Sequence, residues 1–162
     1  MEKFIPRPEN LLIGSEEATI DDKGRVLVSK KKRDRLGEGF VMALGTVGCL
    51  TVYTASAWYD TVREIFEHSA INVGREQFAR LILGTAEDEI KFDPQGRMVV
   101  PKSLRALAKL NSKVKIIGLG DRMEIWALEE HEKYESDIDG YGFARRDQIL
   151  KSHVMMTGRV QP

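Results

Sequence analysis

Two arginines at the exits of two similar short turns are the residues of this sequence best suited to bind another molecule. Arg25 ends the segment 21–25 (DDKGR), and Arg97 ends the segment 93–97 (DPQGR). A guanidinium is planar and always charged, and it can donate two parallel hydrogen bonds to the O6 and N7 atoms of guanine in the major groove. The pattern therefore predicts recognition of DNA bases by two fixed arginines.

The residues before each arginine are typical of a tight hairpin turn. Glycine supplies the positive φ that a three-residue loop with a bulge requires. A carboxylate pointed at DNA would be repelled, so we expect each aspartate to accept hydrogen bonds from its own loop instead. The residues with this structural role are Asp21, Gly24, Asp93 and Gly96. Lys23 and Gln95 occupy matching loop positions and are candidates for contact with bases or phosphates.

Basic side chains are concentrated after the first turn, although the chain has 25 basic and 25 acidic residues and no formal net charge. Residues 23–35 carry seven lysines and arginines against Asp34 alone, whereas residues 129–139 carry six acidic side chains against Lys133 alone. One face can therefore meet phosphate while the whole molecule stays neutral. The predicted phosphate contacts are Lys30, Lys31, Arg33, Lys102 and Arg105, with the lysines 30–32 as anchors peculiar to the first half.

The two turns belong to a longer duplicated unit. At an offset of 72 residues, identical residues fall on one another at six positions: Asp21 and Asp93, Gly24 and Gly96, Arg25 and Arg97, Val28 and Val100, Lys30 and Lys102, and Arg33 and Arg105. A repeat of this length indicates a duplicated supersecondary unit. We divide the chain into an N-terminal arm (1–14), a first repeat (15–71), a helical connector (72–86), a second repeat (87–139) and a C-terminal tail (140–162).

Each repeat is expected to contain a hairpin, a short basic helix, a second strand pair and a longer helix. In the first repeat, Ser29 and Gly37 should cap and end the basic helix. The longer helix should bury a face formed by Trp58, Val62, Ile65 and Phe66. In the second repeat, Pro101 is placed as the first residue of a helix that Asn111 ends. The tail is expected to form a helix through Ser152.

Neither repeat is large enough to bury a core alone. We predict an α+β fold, mainly β, in which the two repeats interlock into a small intramolecular β-barrel with flanking helices. The chain would then be its own pseudo-dimer, presenting one arginine turn from each half.

The sequence shows no motif that is typical of catalysis or of metal binding. His68, His131 and His153 have no matched nucleophile, and no spacing of cysteine and histidine suggests zinc. We therefore expect no enzyme activity, metal, cofactor or small-molecule substrate. The apolar runs are too short for a membrane span, no secretory signal is recognised, and the single Cys49 fits a reducing cytoplasm.

The duplicated segments resemble the MraZ family of bacterial transcriptional regulators, within the wider AbrB-like (SpoVT/AbrB) group. The segments that carry the resemblance are IDDKGRVLVSKKKR, CLTVYTASAW, FDPQGRMVVPKSLR and MEIWALEEH, and together they span residues 12–137. The resemblance implies tandem AbrB-like swapped-hairpin repeats, a ring-shaped homo-oligomer, and an Asp-x-x-x-Arg turn that contacts DNA. It also implies binding to short direct repeats upstream of the division and cell-wall gene cluster.

Three features depart from the family pattern. Ser29 stands where the family usually has proline, the N-terminal arm is longer than usual, and the tail from residue 140 has no matching segment. We interpret the chain as a cytoplasmic, nucleoid-associated repressor whose partners are double-stranded DNA and further copies of itself. Two alternatives are an AbrB-type antitoxin and a ring-forming scaffold that binds protein without binding DNA.

Overall fold

The computed structural model describes residues 5–136 and 143–159, and within them the chain forms seven strands, six α-helices and one short 3₁₀ helix (Pro8–Asn10). The strands are β1 (Ser15–Thr19), β2 (Arg25–Leu27), β3 (Val41–Leu44), β4 (Leu50–Tyr53), β5 (Arg97–Val99), β6 (Lys113–Gly118) and β7 (Arg122–Ala127). The helices are α1 (Lys30–Leu36), α2 (Ala55–Phe66), α3 (Val73–Ile82), α4 (Lys102–Leu107), α5 (Leu128–Ser136) and α6 (Phe143–Thr157).

The strands form an α+β fold in which every strand pair is antiparallel. The main sheet has the order β1-β6-β7-β4-β3, and β2 pairs with β5 in a separate two-stranded ribbon. Strands β1, β3 and β4 come from the first half of the chain, and β6 and β7 come from the second. Since the ribbon also takes one strand from each half, the two repeats are interlocked rather than side by side.

One core lies beneath both the main sheet and the ribbon. It contains side chains from both repeats, including the fully buried Val26, Met98, Val100 and Leu104. The inward residues of the ribbon, Val26 and Met98, face each other across the strand pair. The ribbon is therefore anchored through its inner face, and its outer face is left for other contacts.

The first basic helix begins and ends at the predicted residues. The Ser29 hydroxyl accepts a hydrogen bond from the Lys32 backbone N–H at 3.4 Å, and Gly37 ends the helix with a φ of 70°. Ser29 also donates to the Glu16 carboxylate at 2.9 Å. Ser29 therefore ties the start of α1 to strand β1.

Two helix predictions need correction. Phe66, the last residue of α2, is 66% exposed and does not belong to the buried face, because its neighbour Ile65 takes the inward position. The Phe66 ring instead lies 5.0 Å from the guanidinium of Arg75. In the second repeat Pro101 is the cap and not the first residue of α4, and the helix ends at Leu107, well before Asn111.

The end of the N-terminal arm belongs to the fold. Leu12 is fully buried and exchanges two backbone hydrogen bonds with Gly120, at 2.8 and 2.7 Å. Its carbonyl group lies so close to Gly118 that a side chain at that position would collide with it. The arm therefore runs along the turn between β6 and β7, where it extends the sheet edge, while Ile5 near its start is exposed.

The helix of the tail is longer than predicted. Helix α6 continues past Ser152 to Thr157 and packs against α3, where Ile149 and Met156 join Phe78 and Ile82 in a second buried cluster. Gly74 allows close contact between the two helices, because a Cβ there would overlap the backbone of Met155 and Met156. The acidic Asp137 and Asp139 lie outside the described residues, as does the end of the tail after residue 159.

Candidate nucleic-acid interface

The first arginine turn is held by the carboxylate of Asp21. One oxygen, Oδ1, accepts from the backbone N–H groups of Lys23 and Arg25, at 3.0 and 2.9 Å. The other, Oδ2, accepts from the Arg25 side-chain Nε at 2.6 Å. The Gly24 N–H donates to the Asp21 carbonyl at 2.9 Å, and Gly24 has a φ of 81°. Asp21 therefore fixes both the loop backbone and the direction of the arginine.

The second turn repeats this network. Asp93 Oδ1 accepts from the backbone N–H groups of Gln95 and Arg97, each at 2.9 Å, and Oδ2 accepts from Arg97 Nε at 2.9 Å. Gly96 has a φ of 84°. Two turns of different loop sequence thus reach the same geometry, because their aspartate, glycine and arginine coincide.

These hydrogen bonds lower the pKa of both aspartate carboxyls below its ordinary value of 3.8. The backbone N–H of the arginine is the largest cause in each turn, and partial burial acts in the opposite direction. Both carboxylates are therefore charged at neutral pH, where each keeps its arginine oriented.

The ends of the two guanidinium groups differ. Among the described residues, the terminal amino groups of Arg25 make no hydrogen bond, because Asp21 occupies only Nε. In the second turn, one terminal amino group of Arg97 donates to the Gln95 side chain at 3.1 Å. The side chain of Lys23, at the matching position in the first turn, has no atom that can accept a hydrogen bond from Arg25. The side chain of Arg97 is therefore held by two side-chain partners, and that of Arg25 by one.

Both arginines lie on the outer face of the β2–β5 ribbon. Arg25 pairs with Val99, and Leu27 pairs with Arg97, so all four side chains share that face. The arginines stand diagonally, roughly 7 Å apart along the strand direction. Leu27 and Val99 are 53% and 51% exposed. These two apolar residues were not predicted as part of the site, although their alternation with Val26 and Met98 indicates that they face outward.

Each turn is also packed against the basic helix of the other repeat. A Cβ added at Gly24 would lie 2.8 Å from Arg105 Nε and 2.8 Å from the Val100 carbonyl oxygen. A Cβ at Gly96 would lie 2.6 Å from the Cζ atom of Arg33. Arg33 and Arg105 therefore cross over to the opposite turn, and the glycines make room for them.

The two crossing arginines are not equally satisfied. Arg33 Nε donates to the Val28 carbonyl at 3.0 Å, whereas Arg105 Nε is buried and has no hydrogen-bond partner within the described structure. Backbone hydrogen bonds join the same segments, from Val28 N–H to Gly96 and from Val100 N–H to Gly24. The structure thus gives Arg33 and Arg105 a packing role between the turns, while their contact with phosphate stays a prediction.

The lysines after the first turn have different environments. Lys30 and Lys31 are exposed, and Lys30 forms an ion pair with Asp34 at 2.7 Å. Lys102 of the second repeat is likewise exposed. Lys32 is not a phosphate anchor, because its side chain is only 8% exposed and its Nζ lies 3.1 Å from the Glu16 carboxylate. The helical period turns Lys32 inward, while Lys30 and Lys31 stay exposed.

The buried thiol and the histidine on α6 have structural surroundings in the described part of the chain. Cys49 is buried, and this burial, reinforced by the charge of Glu124, raises the pKa of its thiol well above 9.0. His153 lies 2.8 Å from a Glu64 oxygen and joins α6 to α2. In the ranges that the structure describes, no three His, Cys, Asp or Glu side chains are grouped to hold a metal ion, and no helix is long and apolar enough to cross a membrane.

The fold and the turns define a class of protein: an interlocked tandem repeat that presents two aspartate-braced arginines on one β-ribbon. A family described as "MraZ protein, putative antitoxin-like" matches residues 11–81 and 83–151. Together these two segments take in most of the sequence. The chain belongs to the MraZ family.

Individual relatives agree with this assignment. A protein named transcriptional regulator MraZ from Thermoanaerobacter sp. (strain X514) is 37% identical over 129 residues, which cover 80% of this chain and 90% of the relative. A protein of the same name from Finegoldia magna is 37% identical over 73% of this chain and 82% of its own length. A protein of the same name from Lactiplantibacillus plantarum is 32% identical over 78% of this chain and 89% of its own length.

Proposed function

We propose that this chain is a sequence-specific DNA-binding transcriptional regulator that reads the major groove with its two arginine turns. The observation that carries the proposal is the pair of aspartate-braced arginines on the outer face of the β2–β5 ribbon. The major groove admits a two-stranded ribbon, and an arginine held at a fixed angle suits bidentate contact with guanine. The name of the relatives, transcriptional regulator, supports the same role.

The proposed mechanism is binding without chemical catalysis. Arg25 and Arg97 contact base edges, with Lys23 and Gln95 close enough to add contacts from the loops. The exposed lysines of α1 and α4, with Arg33 and Arg105, supply the phosphate contacts that fix the ribbon in the groove. A regulator bound in this way represses transcription by occluding a promoter, and it acts in the cytoplasm at the nucleoid.

The finer architecture is part of this proposal. We take the two repeats (15–71 and 87–139), joined by the connector (72–86), as AbrB-like swapped hairpins that close a small barrel between the arm and the tail. Several chains assemble into a homo-oligomeric ring that meets repeated DNA boxes, including those upstream of the division and cell-wall gene cluster. Several weak contacts held in one ring reinforce one another through their effective concentration.

The experiment that tests the function is a gel-shift titration of the full chain with DNA from upstream of its own gene. A random duplex of the same length is the control. The proposal expects tighter binding to the upstream DNA. It also expects the binding constant to fall with salt, with a log–log slope of about −0.9 for each phosphate neutralised. Equal binding to both duplexes, or a flat salt response, would contradict it.

A second candidate function is that of an antitoxin, which the description of the matching family favours. An antitoxin binds a toxin protein, so the full chain purified from its own host would carry a second polypeptide in fixed ratio. Purification of the chain alone, together with sequence-specific DNA binding, would leave the regulator as the better account. A fixed partner without DNA binding would favour the antitoxin or a protein-binding scaffold.

A further inference from the structure

The outer face of the β2–β5 ribbon is half apolar, and the proposed guanine contacts use only its charged half. Leu27 stands opposite Arg97, and Val99 stands opposite Arg25. Both apolar side chains are about half exposed, at 53% and 51%, whereas the inward residues Val26 and Met98 are fully buried. The apolar pair therefore contributes little to the core and is free to contact a partner.

The arrangement on this face is symmetric. Each arginine has an apolar residue of the other strand directly beside it, and side chains opposite each other on one face have Cβ atoms about 5 Å apart. Successive base pairs are about 3.4 Å apart. An arginine on one base pair thus places its apolar neighbour over the same base pair or the next one.

The major groove contains one apolar group at the base edges, the 5-methyl group of thymine. We propose that Leu27 and Val99 are specificity-determining residues that contact thymine methyl groups next to the guanines bound by Arg97 and Arg25. This inference rests on the proposed function, because it assumes that the ribbon enters the major groove. It adds a second base to the sequence read by each half of the chain.

The charge around the pair favours DNA over a protein as the partner. Leu27 and Val99 lie between two arginines, each of which is paired with its aspartate. The exposed Lys23, Lys31 and Lys102 lie in or after the two turns and form no ion pair within the described structure, so they add net positive charge. A positive rim around a small apolar centre is complementary to a groove lined by phosphates that contains methyl groups. Leucine extends farther than valine, so the two halves are expected to contact methyl groups at different depths.

The test uses a duplex selected from a random library by the full chain, in which each thymine is replaced in turn by deoxyuridine. The replacement removes a single methyl group and leaves base pairing intact. For the unsubstituted protein, we expect affinity to fall about three- to fivefold at thymines next to a recognised guanine, the effect of burying one such group. The variants Leu27→Ala and Val99→Ala should bind less tightly and lose this sensitivity, each at its own position.

Leu119→Ala is the matched control, because Leu119 is also half exposed but lies in the turn between β6 and β7. It should keep the full response to deoxyuridine. A selected site without thymine beside guanine would overturn the inference, as would full sensitivity in Leu27→Ala and Val99→Ala. Neither result would contradict the proposed function, provided that the unsubstituted protein binds the selected duplex more tightly than random DNA. Failure to select any duplex would instead overturn the proposed function, and this inference with it.

Discussion

At the scale of single residues, the aspartate of each turn has two tasks. Asp21 and Asp93 hold the loop through backbone N–H groups, and they also fix the arginine through Nε. A free arginine loses side-chain entropy when it binds, and an arginine already oriented loses less. The turn therefore prepares the guanidinium for contact while leaving at least one terminal amino group free.

The first prediction concerns the titration of these carboxyls. The pKa of Asp21 and Asp93 should lie below 3.8 when followed by carbon NMR of the carboxyl groups. A lowered pKa means that the ionised form is stabilised by folding, so this stability is present above pH 3.8 and is lost as the pH falls through the folded-state value. In Arg97→Ala the pKa of Asp93 should rise only part of the way, because the backbone N–H remains. A pKa at or above 3.8 in the unsubstituted protein would contradict the bracing role.

The roles of these turn residues could be anticipated from sequence because they depend on a few adjacent residues. Aspartate, glycine and arginine at fixed spacing define the hydrogen bonds of the loop almost without reference to the rest of the chain. Lys32 could not be assigned in this way. Its burial depends on Glu16 in a strand distant in sequence, and a run of three lysines does not show which one faces inward.

At the scale of elements, the glycines of the turns serve the contact between repeats as well as the turn itself. Gly24 lies against Arg105 and the Val100 carbonyl, and Gly96 lies against Arg33. This crosswise packing requires both repeats to be folded together. The positive φ of these glycines could be predicted from the turn sequence, but the contact with the opposite helix depends on how the repeats interlock.

The second prediction compares glycine substitutions. Gly39 also has a positive φ, of 74°, but a Cβ there would make only an ordinary contact of 3.5 Å with Ala55. Gly39→Ala should therefore lower the free energy of unfolding by about 1–2 kcal/mol from backbone strain alone. Gly24→Ala should cost about 1–3 kcal/mol more, because the methyl group also meets the Val100 carbonyl. Urea unfolding of the two variants measures the difference, and equal losses would argue against crosswise packing.

The elements themselves were easier to predict than their ends. Local patterns locate the cap Ser29 and the second strand pair of each repeat, because these depend on nearby residues. The hairpin expected around each turn is wrong: Ile20 and Phe92 make only single bridges to Val26 and Met98, because β2 and β5 pair with each other. The end of α4 and the exposure of Phe66 depend on packing against other elements. The burial of Leu12 also depends on packing against other elements. It could not be predicted, because the arm shows no hydrophobic periodicity.

At the scale of the whole molecule, the interlocked repeats place both arginine turns on one ribbon. The exposed apolar side chains away from that ribbon include Tyr59 and Phe66 on α2, and Ile71 and Val73 in and after the connection to α3. Large exposed apolar side chains that follow one another within about fifteen residues of sequence are candidates for a protein interface. We expect this surface to be the contact between chains in the proposed ring.

The third prediction tests that contact by native mass spectrometry. Ile71→Glu should shift the oligomer toward smaller species, because Ile71 is 89% exposed and a charge would be desolvated on assembly. Leu119→Glu, an equally radical change at a half-exposed residue, serves as the control and should leave the assembly unchanged. A monomeric unsubstituted protein, or equal effects of both variants, would contradict the assignment.

An affinity measurement decides whether the two arginine turns bind DNA bases. It compares the affinities of the unsubstituted chain, Arg25→Ala, Arg97→Ala and Lys31→Ala for a selected duplex and for a random one, using fluorescence anisotropy at fixed salt. Each arginine variant should lose about tenfold or more on the selected duplex, the value of a bidentate guanine contact, and much less on the random one. Lys31→Ala should weaken both equally, as a phosphate contact does. Equal losses on both duplexes for Arg25→Ala and Arg97→Ala, or no loss at all, would contradict the claim.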